Sequence, residues 1–342
     1  MSSDKPLVIT MGDPAGIGPE TIVKLYSEVA AHVHLIPGFR GVVVGDVKRL
    51  DRANALVGAG LRIREVASVD ECLFSAGAIE VLQEGECVDN LPFGELHKRA
   101  GQAAYDYVVR GIELCQSGAT SGIVTAPINK AAMALAGIPY PGHTEILAKR
   151  SGVTDFAMML ANDEIRVVLA TIHVALREVP DLLNLDVEMK AIRMAHNAGV
   201  ALGFKHPRIA VAGLNPHAAE GGMFGLEEST IIAPAIAASR ERGIDASGPW
   251  PGDTVFFSAR EGEFDMVVAQ YHDQGLIPVK YMGLFNGVNI TLGLPFVRTS
   301  PDHGTAFDIA GTGVADPHSL LAAVQYAQRL IPGRAERPIQ GN

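Results

Sequence analysis

Three histidines each follow an apolar run that has the length and composition of a buried strand. The runs are 167–172 before His173, 209–213 before His217 and 266–270 before His272. In open α/β sheets, the loops beyond the carboxyl ends of the strands form the ligand crevice. Three imidazoles in such loops can share one divalent metal ion and leave its other positions open for substrate. A single histidine of this kind is more often an ordinary loop or core residue, so the shared placement is what favours a metal site.

A second group of polar residues predicts an anion site. His143 and Thr144 precede a predicted helix, where free amides and the helix dipole favour an anion. Lys280, Asn289 and Arg298 lie in strand-like stretches that are otherwise apolar or glycine-rich. An arginine can bind phosphate or carboxylate through two hydrogen bonds, and a lysine adds a point charge. The simpler alternatives are a helix N-cap at Thr144 and solvated residues at a sheet edge.

A glycine-rich segment, 11–20, follows the first predicted strand and opens the first predicted helix. Its glycines Gly12, Gly16 and Gly18 do not match the GxGxxG spacing of dinucleotide-binding folds, and no Gly-Lys-Ser/Thr follows. Glycine lets the backbone turn sharply and approach a ligand closely. A plain tight turn between strand and helix explains the spacing equally well.

Composition limits the class of protein. The chain has 342 residues, 48% hydrophobic and 19% charged, which predicts about two well-packed domains rather than a disordered chain. The net charge of −10 argues against nucleic-acid binding. Three cysteines without a CxxC pair favour a reducing compartment. Without a signal sequence or a long apolar run, we expect a cytoplasmic protein with no membrane partner.

Strand-like and helix-like stretches alternate along the chain. Such alternation predicts an α/β fold with a mostly parallel sheet that is covered on both faces. Two apolar runs around Asn162-Asp163 predict a hairpin and some antiparallel pairing. The expected strands are 7–11, 41–45, 123–126, 156–161 and 165–172, and the expected helices are 102–114, 130–135, 186–202, 227–240 and 317–330.

Seven segments carry a resemblance to known families. The segment 11–20 is similar to the opening of isocitrate and isopropylmalate dehydrogenases, and 303–311 is similar to their loop for the adenosine part of NAD. Together with the other segments they resemble the PdxA family, the 4-hydroxythreonine-4-phosphate dehydrogenases. The matching segments are 11–20, 125–130, 142–145, 214–217, 272–276, 288–295 and 298–311.

The resemblance implies a homodimer with the isocitrate-dehydrogenase-like α/β fold. It implies one domain formed by about 1–125 plus 290–342 and a second formed by about 126–289. The active site is expected in the interdomain cleft, with contributions from both subunits. Family metal ligands fall on the three histidines already singled out, for one divalent ion, with zinc the first expectation and magnesium, manganese or cobalt as alternatives.

The resemblance also assigns binding residues. Family substrate contacts fall on the predicted anion group: His143, Thr144, Lys280, Asn289 and Arg298. Contacts to NAD or NADP are expected at Gly12, Asp13, Gly293, Pro295, His303, Gly304 and Asp308.

The implied reaction is oxidation of the secondary hydroxyl of 4-phosphooxy-L-threonine, with loss of carbon dioxide from the β-keto acid, as in pyridoxal phosphate biosynthesis. A bound metal lowers the pKa of a hydroxyl group, and a nicotinamide accepts the hydride. The group that takes the hydroxyl proton is left open among Lys280, metal-bound water, Asp253 and Asp273. Asp273 alternatively orients His272.

Some residues depart from the biosynthetic pattern and leave the substrate open. Met223 replaces a family histidine, and the segments 140–147 and 276–280 resemble the paralogous PdxA-like branch. That branch acts on 4-phospho-D-threonate or 4-phospho-D-erythronate, and related proteins oxidise aromatic cis-dihydrodiols of the terephthalate type. The three histidines alone would also allow a metal-dependent hydrolase or lyase without nicotinamide, which would not need the 303–311 loop. A second alternative is a non-catalytic binding protein for small phosphorylated acids.

Overall fold

A computed structural model describes residues 5–283 and 287–331. The strands of this part are β1 Leu7–Thr10, β2 Gly41–Gly45, β3 Arg62–Glu65, β4 Ala78–Gln83, β5 Gly122–Thr125, β6 Ala157–Ala161, β7 Arg166–Leu169, β8 Ile209–Ala212, β9 Ala246–Trp250, β10 Met266–Ala269, β11 Val288–Leu292 and β12 Val297–Pro301. The α-helices are α1 Gly18–Ala31, α2 Val47–Val57, α3 Lys98–Gln116, α4 Lys130–Leu135, α5 His143–Ser151, α6 Val179–Leu182, α7 Leu185–Ala201, α8 Ala233–Glu241, α9 Val255–Arg260, α10 His272–Tyr281 and α11 His318–Leu330. None of these helices combines the length and apolar character needed to cross a bilayer.

The described residues fall into two compact units. Unit 1 comprises residues up to 154 together with 294–331, and unit 2 comprises 155–293. The segment 126–154, which the sequence grouped with the second domain, therefore packs within unit 1. The reason is close helix packing: a Cβ added to Gly101 of α3 would lie 2.1 Å from the carbonyl oxygen of Ala132 in α4. Arg150 of α5 also donates to the hydroxyl of Tyr105 at 3.2 Å.

Unit 1 contains a six-stranded sheet in the order β3-β4-β2-β1-β5-β12. Every pairing in it is parallel. All residues of β1, β2 and β5 are buried, as expected where helices cover both faces of a parallel sheet. The prediction of a parallel α/β architecture is confirmed in this unit.

Local sequence signals explain where two of its helices start. Pro19 lies in the first turn of α1, where a missing N–H costs nothing. The side chain of Asn129 accepts a hydrogen bond from the Ala132 amide at 3.0 Å and caps α4. Gly137 follows that helix with φ of +78°, a conformation that glycine adopts without strain. Both helix starts agree with the sequence prediction.

Unit 2 contains six strands in the order β11-β6-β7-β10-β8-β9. β6 pairs antiparallel with both β11 and β7, whereas β7, β10, β8 and β9 pair in parallel. The Asn162 side-chain oxygen accepts from the amides of Glu164 and Ile165 at 2.9 and 2.8 Å and closes the β6–β7 turn. The predicted hairpin and antiparallel admixture are thus confirmed.

The segment around Lys280 differs from the sequence expectation. The stretch 275–280 is not strand-like but forms most of α10, with Lys280 in its last turn and Pro278 inside the helix. Leu276 and Val279, three residues apart, are both buried in the apolar core of unit 2. This spacing places them on one helical face, and that burial outweighs the interruption by proline.

Candidate active site

The three candidate metal-binding histidines all lie beyond the same edge of the unit 2 sheet. His173, His217 and His272 follow β7, β8 and β10, and β10 lies between the other two strands, parallel to both. The rings of His173 and His272 have their centroids 5.7 Å apart, whereas the His217 ring lies 6.4 Å from that of Phe224. Among the described residues, no three His, Cys, Asp or Glu side chains are grouped closely enough to hold a metal ion.

The chemistry of the donor set fits a divalent metal. Two imidazoles that bind one zinc ion, each through a nitrogen at about 2 Å, have ring centres several ångströms apart, as His173 and His272 do. The Nδ1 atom of His272 lies 2.7 Å from Oδ1 of Asp273. Metal-binding histidines usually make such a bond with the second ring nitrogen. This contact favours the orienting role for Asp273 over the proton-accepting one, and the three-histidine site stays a prediction.

His217 lies on a left-handed turn that the sequence did not reveal. Residues 217–221 all have φ between +44° and +68°, and only the last of them is glycine. Each non-glycine residue in this conformation costs about 1–2 kcal/mol. The turn is held by Asn215, whose backbone amide donates to Oε1 of Glu228 and whose side chain donates to Oε2 of Glu227, both at 2.7 Å.

A buried acid, Glu188 of α7, belongs to the same unit. Its side chain is fully buried, and neither carboxyl oxygen has a hydrogen-bond partner of normal geometry among the described residues. Burial raises the pKa of Glu188 to about 7, and interaction with the Gln270 side chain acts in the opposite direction. Gln270 directly follows β10 and precedes His272 by two residues. Sequence reasoning missed Glu188 because one acid in a helical pattern resembles part of a solvated face.

Part of the predicted anion-binding group lies in unit 1, and a buried arginine is at its centre. Arg298 of β12 is 3% exposed and donates to Oγ1 of Thr125 at 2.9 Å. Burial lowers the pKa of Arg298 to about 9, partly offset by the charge of Glu145, so the guanidinium stays protonated at neutral pH. Because its side chain is buried, Arg298 is not a solvated edge residue.

His143, the first residue of α5, completes this group. Burial, followed by the charges of Arg298 and Lys130, lowers the pKa of His143 well below its usual value, so the imidazole is neutral. Its Nε2 atom is buried and has no partner among the described residues. Gly142 occupies the N-cap position, so Thr144 is not simply a helix cap. Lys130 is an additional cation that the sequence analysis did not select.

The remaining candidates for substrate binding and proton transfer lie on separate elements of unit 2. Lys280 is half-buried near the end of α10, and Asp253 is exposed just before α9. Asn289 of β11 has its Nδ2 atom 3.4 Å from the sulfur of Met158. The Oδ1 atom of Asn289 is buried and has no partner among residues 5–283 and 287–331. The roles of these residues stay predictions.

The two segments with dehydrogenase-like sequences meet in unit 1. The amide of Ile17 donates to the carbonyl of Thr305 at 3.1 Å, and a Cβ on Gly16 would lie 2.9 Å from Thr305. The carboxylate of Glu20, in α1, accepts from the amides of Gly311 and Gly313. The backbone of the 303–313 loop is therefore held against the glycine-rich segment.

The candidate cofactor residues differ in their surroundings. Gly12 has φ of +71°, and a Cβ there would lie 2.3 Å from the carbonyl of Pro127, so the site requires glycine. Burial raises the pKa of Asp13 to about 6, against its hydrogen bond from Ala15 and the charge of Arg49. The other candidates in unit 1 are exposed or half-buried: His303, Gly304, Asp308 and Pro295. Gly293, in unit 2, has φ of +91°.

The α/β architecture, the buried arginine of the candidate anion site and the loop similar to that of dehydrogenases together favour an enzyme of the dehydrogenase class. Comparison with known proteins supplies the family. The family described as pyridoxal phosphate biosynthetic protein PdxA matches residues 39–327. The chain belongs to the PdxA family.

Curated relatives of the chain are dehydrogenases. It is 58% identical over 328 residues to the 4-hydroxythreonine-4-phosphate dehydrogenase of Beijerinckia indica, covering 96% of this chain and 95% of that protein. It is 46% identical to the D-threonate 4-phosphate dehydrogenase of Pectobacterium atrosepticum, and the match covers 95% of this chain and 99% of that protein. The dehydrogenase class is thereby confirmed, against the hydrolase and binding-protein alternatives.

Solved structures agree with this assignment. A 4-hydroxythreonine-4-phosphate dehydrogenase from Klebsiella pneumoniae is 44% identical with a TM-score of 0.86, covering 96% of this chain and 99% of that one. A terephthalate 1,2-cis-dihydrodiol dehydrogenase from Burkholderia xenovorans is 29% identical with a TM-score of 0.68, covering 95% and 98%. The phosphorylated-acid dehydrogenases are therefore the nearer of these two groups.

The buried Glu188 should make the stability of the protein depend on pH. Below about pH 4.5, Glu188 is protonated in both the folded and unfolded states. Between that value and its folded pKa of about 7, Glu188 keeps its proton in the folded state but loses it in the unfolded state. The free energy of unfolding therefore falls as pH rises through this range, by about 3 kcal/mol in total. We expect Glu188→Gln to remove this loss. Its melting temperature should exceed that of the wild type by several degrees at pH 8, with little difference at pH 4.5.

Thermal unfolding followed by circular dichroism across this pH range measures the effect. Glu241→Gln, at an exposed position of α8, is the matched control and should follow the wild type throughout. An equal difference between Glu188→Gln and wild type at pH 4.5 and pH 8 would show that Glu188 does not titrate in this window.

Proposed function

We propose that this protein is a divalent-metal-dependent NAD(P) dehydrogenase whose substrate is 4-phosphooxy-L-threonine. The secondary hydroxyl is oxidised, and the resulting β-keto acid loses carbon dioxide. The observation that carries the proposal is the buried, charged Arg298 beside the neutral, half-buried His143 in unit 1. The high identity to a 4-hydroxythreonine-4-phosphate dehydrogenase supports the same substrate.

The anion group suits a phosphate or a carboxylate. A buried guanidinium is stabilised by anions and strong acceptors, and Arg298 donates a hydrogen bond to Oγ1 of Thr125. Neutral His143 can donate or accept one hydrogen bond through Nε2. A phosphorylated acid supplies the negative charge that this environment favours. Thr144, Lys280 and Asn289 are proposed as further substrate contacts.

The metal and the nicotinamide are assigned to residues by their donor chemistry. His173, His217 and His272 would hold the metal, with zinc the ion that imidazole ligands suit best. When bound, the metal supplies Lewis-acid polarisation of the substrate hydroxyl. The 303–313 loop, held on Glu20, would bind the nicotinamide cofactor, which accepts the hydride.

The chain's own residues would orient the substrate and move the proton. Asp273, bonded to Nδ1 of His272, fixes the ring so that Nε2 is available as a ligand. Lys280 and Asp253 are then the remaining candidates for accepting the hydroxyl proton. A lysine acts as a base near neutral pH only if its surroundings lower its pKa.

A second substrate, 4-phospho-D-threonate, is favoured by a specific observation. Several relatives at 45–46% identity are D-threonate 4-phosphate dehydrogenases. Met223, where the sequence analysis noted a family histidine, is 73% exposed beside the turn that carries His217. This substrate has a phosphate at C4 and a hydroxyl at C3, as 4-phosphooxy-L-threonine does, and it carries a second hydroxyl at C2 in place of the amino group.

We further propose a homodimer located in the cytoplasm. Large apolar side chains protrude from two neighbouring helices in the chain, at Phe257 in α9 and at Ile277 and Tyr281 in α10, and Tyr281 is 91% exposed. Exposed apolar groups of this kind are typical of protein interfaces. Cys72, Cys87 and Cys115 are all unpaired, which suits a reducing compartment.

An NADH-linked assay tests the activity. With zinc, manganese or magnesium present, we expect 4-phosphooxy-L-threonine to give NADH or NADPH absorbance together with released carbon dioxide. 4-Phospho-D-threonate, 4-phospho-D-erythronate and an aromatic cis-dihydrodiol are the comparison substrates. A higher kcat/KM for 4-phospho-D-threonate would reverse the order of the two candidates, and no reduced nucleotide with any of them would reject the dehydrogenase proposal.

Arg298→Lys tests the anion site. Lysine keeps the charge but loses the planar fork, so we expect KM for the phosphorylated substrate to rise tenfold or more. The control is Arg240→Lys at an exposed position of α8, which should leave KM unchanged. An unaltered KM in folded Arg298→Lys would remove the phosphate-anchor role.

The dimer is tested by light scattering coupled to size-exclusion chromatography. We expect a mass near twice the 36.1 kDa of the chain. Tyr281→Glu should shift the mass toward one chain, since a charge is costly inside an apolar interface. A wild-type protein that elutes as a single chain at micromolar concentration would contradict the proposal.

A further inference from the structure

Side-chain hydrogen bonds connect the ends of the three strands that precede the candidate metal-binding histidines. Gln274, in the first turn of α10, accepts from the backbone amide of Gln270 at 2.6 Å and donates to the carbonyl of Gly213 at 2.7 Å. Its amide thereby connects the end of β10 to the end of β8. Both of its polar atoms are used in this connection.

Two further side chains extend the same network. Gln270 donates through Nε2 to the carbonyl of Ala212, the last residue of β8, at 2.8 Å. Thr171, two residues beyond β7, donates through Oγ1 to the carbonyl of Gln270 at 2.7 Å. We call Thr171, Gln270 and Gln274 the strand-end brace. It joins β7, β10 and β8 at the points where the loops to the three histidines begin.

We propose that Gln274 is a positioning residue: through the strand-end brace it sets where the histidine loops leave the sheet, and so controls the affinity for a divalent metal. This inference rests on the metal-binding part of the proposed function. The distances along the chain are short, since His173 follows Thr171 by two residues and His272 follows Gln270 by two. A shift at a strand end therefore moves the ligand that follows it.

The surroundings of Gln274 leave its amide little freedom. A Cβ added to Gly252 would lie 2.8 Å from Nε2 of Gln274, so the backbone approaches the amide closely on that side. Gln274 is also in the same helix as His272, which is the first residue of α10. The brace therefore fixes the start of this helix as well as the end of the neighbouring strand.

Two substitutions at Gln274 distinguish the contributions of its two hydrogen bonds. Gln274→Met has a similar length and removes both hydrogen bonds. Gln274→Glu keeps the acceptor for the Gln270 amide but places a carboxylate oxygen against the Gly213 carbonyl. Changes to groups that orient metal ligands typically weaken metal binding 10–100-fold. We expect a loss of this size in both variants.

The experiment is isothermal titration of Co²⁺ and Zn²⁺ into the full-length, metal-free protein. The wild type should bind one ion per chain, and His217→Ala should bind it far more weakly. Gln102→Met, an exposed position of α3, is the matched control and should bind as the wild type does. Thermal unfolding in the presence of a chelator reports the stability of each variant separately.

The activity assay adds a readout that a purely structural role would not change. In Gln274→Met, the metal concentration for half-maximal activity should rise at least tenfold, while kcat at saturating metal stays near that of the wild type. A lower melting temperature with unchanged metal affinity in Gln274→Met, or in Gln274→Glu if the first variant does not fold, would overturn the inference. A wild type that binds neither ion would instead overturn the proposed metal site, and this inference with it.

Discussion

The parallel pairing of β7, β10 and β8 is the constraint on which the unit 2 site depends. Parallel strands present their carboxyl ends at one edge, so residues far apart in sequence start their loops side by side. Here that edge collects His173, His217 and His272 from three loops. The backbone hydrogen bonds of the sheet, and the glutamine amides that continue them, determine these starting points before any ligand is present.

The candidate anion-binding residues of unit 1 depend on a different physical effect, which is the free-energy cost of burying a charge. Arg298 keeps its charge in a buried position, and the same burial keeps His143 neutral. One buried cation beside a neutral hydrogen-bonding ring favours a single anion in a defined orientation. The proposed site would prefer substrates that carry a phosphate or carboxylate at one end, and the related 4-hydroxythreonine-4-phosphate and D-threonate 4-phosphate dehydrogenases are named for substrates of this kind.

Much of this arrangement could be predicted from the sequence. Apolar runs with clear ends identified several of the strands, the predicted helix 130–135 has the bounds of α4, and the Asn162 turn identified the hairpin. These signals are local, so a single sequence contains them. The placement of the histidines after three strands was also predicted from the sequence, whereas the contact between the glycine-rich segment and the 303–313 loop was found only in the structure.

Other features depend on contacts between distant residues and could not be predicted in this way. The helical form of 275–280 is stabilised by burial in the unit 2 core, despite Gly275 and Pro278. The burial of Glu188 and Arg298 results from neighbours that no local pattern identifies. The grouping of 126–154 with unit 1 depends on the contact between Gly101 and α4.

The left-handed turn at 217–221 limits how this part of the surface can vary. A β-branched side chain at Ala218 or Ala219 would meet severe steric conflict with its own backbone, so small residues suit both positions, of which Ala218 is half-buried and Ala219 is buried. Met223, two residues beyond the turn, has an ordinary backbone conformation, with φ of −67°. Position 223 therefore accepts side chains of many shapes, unlike the turn, and it is one of the positions at which this chain departs from the biosynthetic pattern.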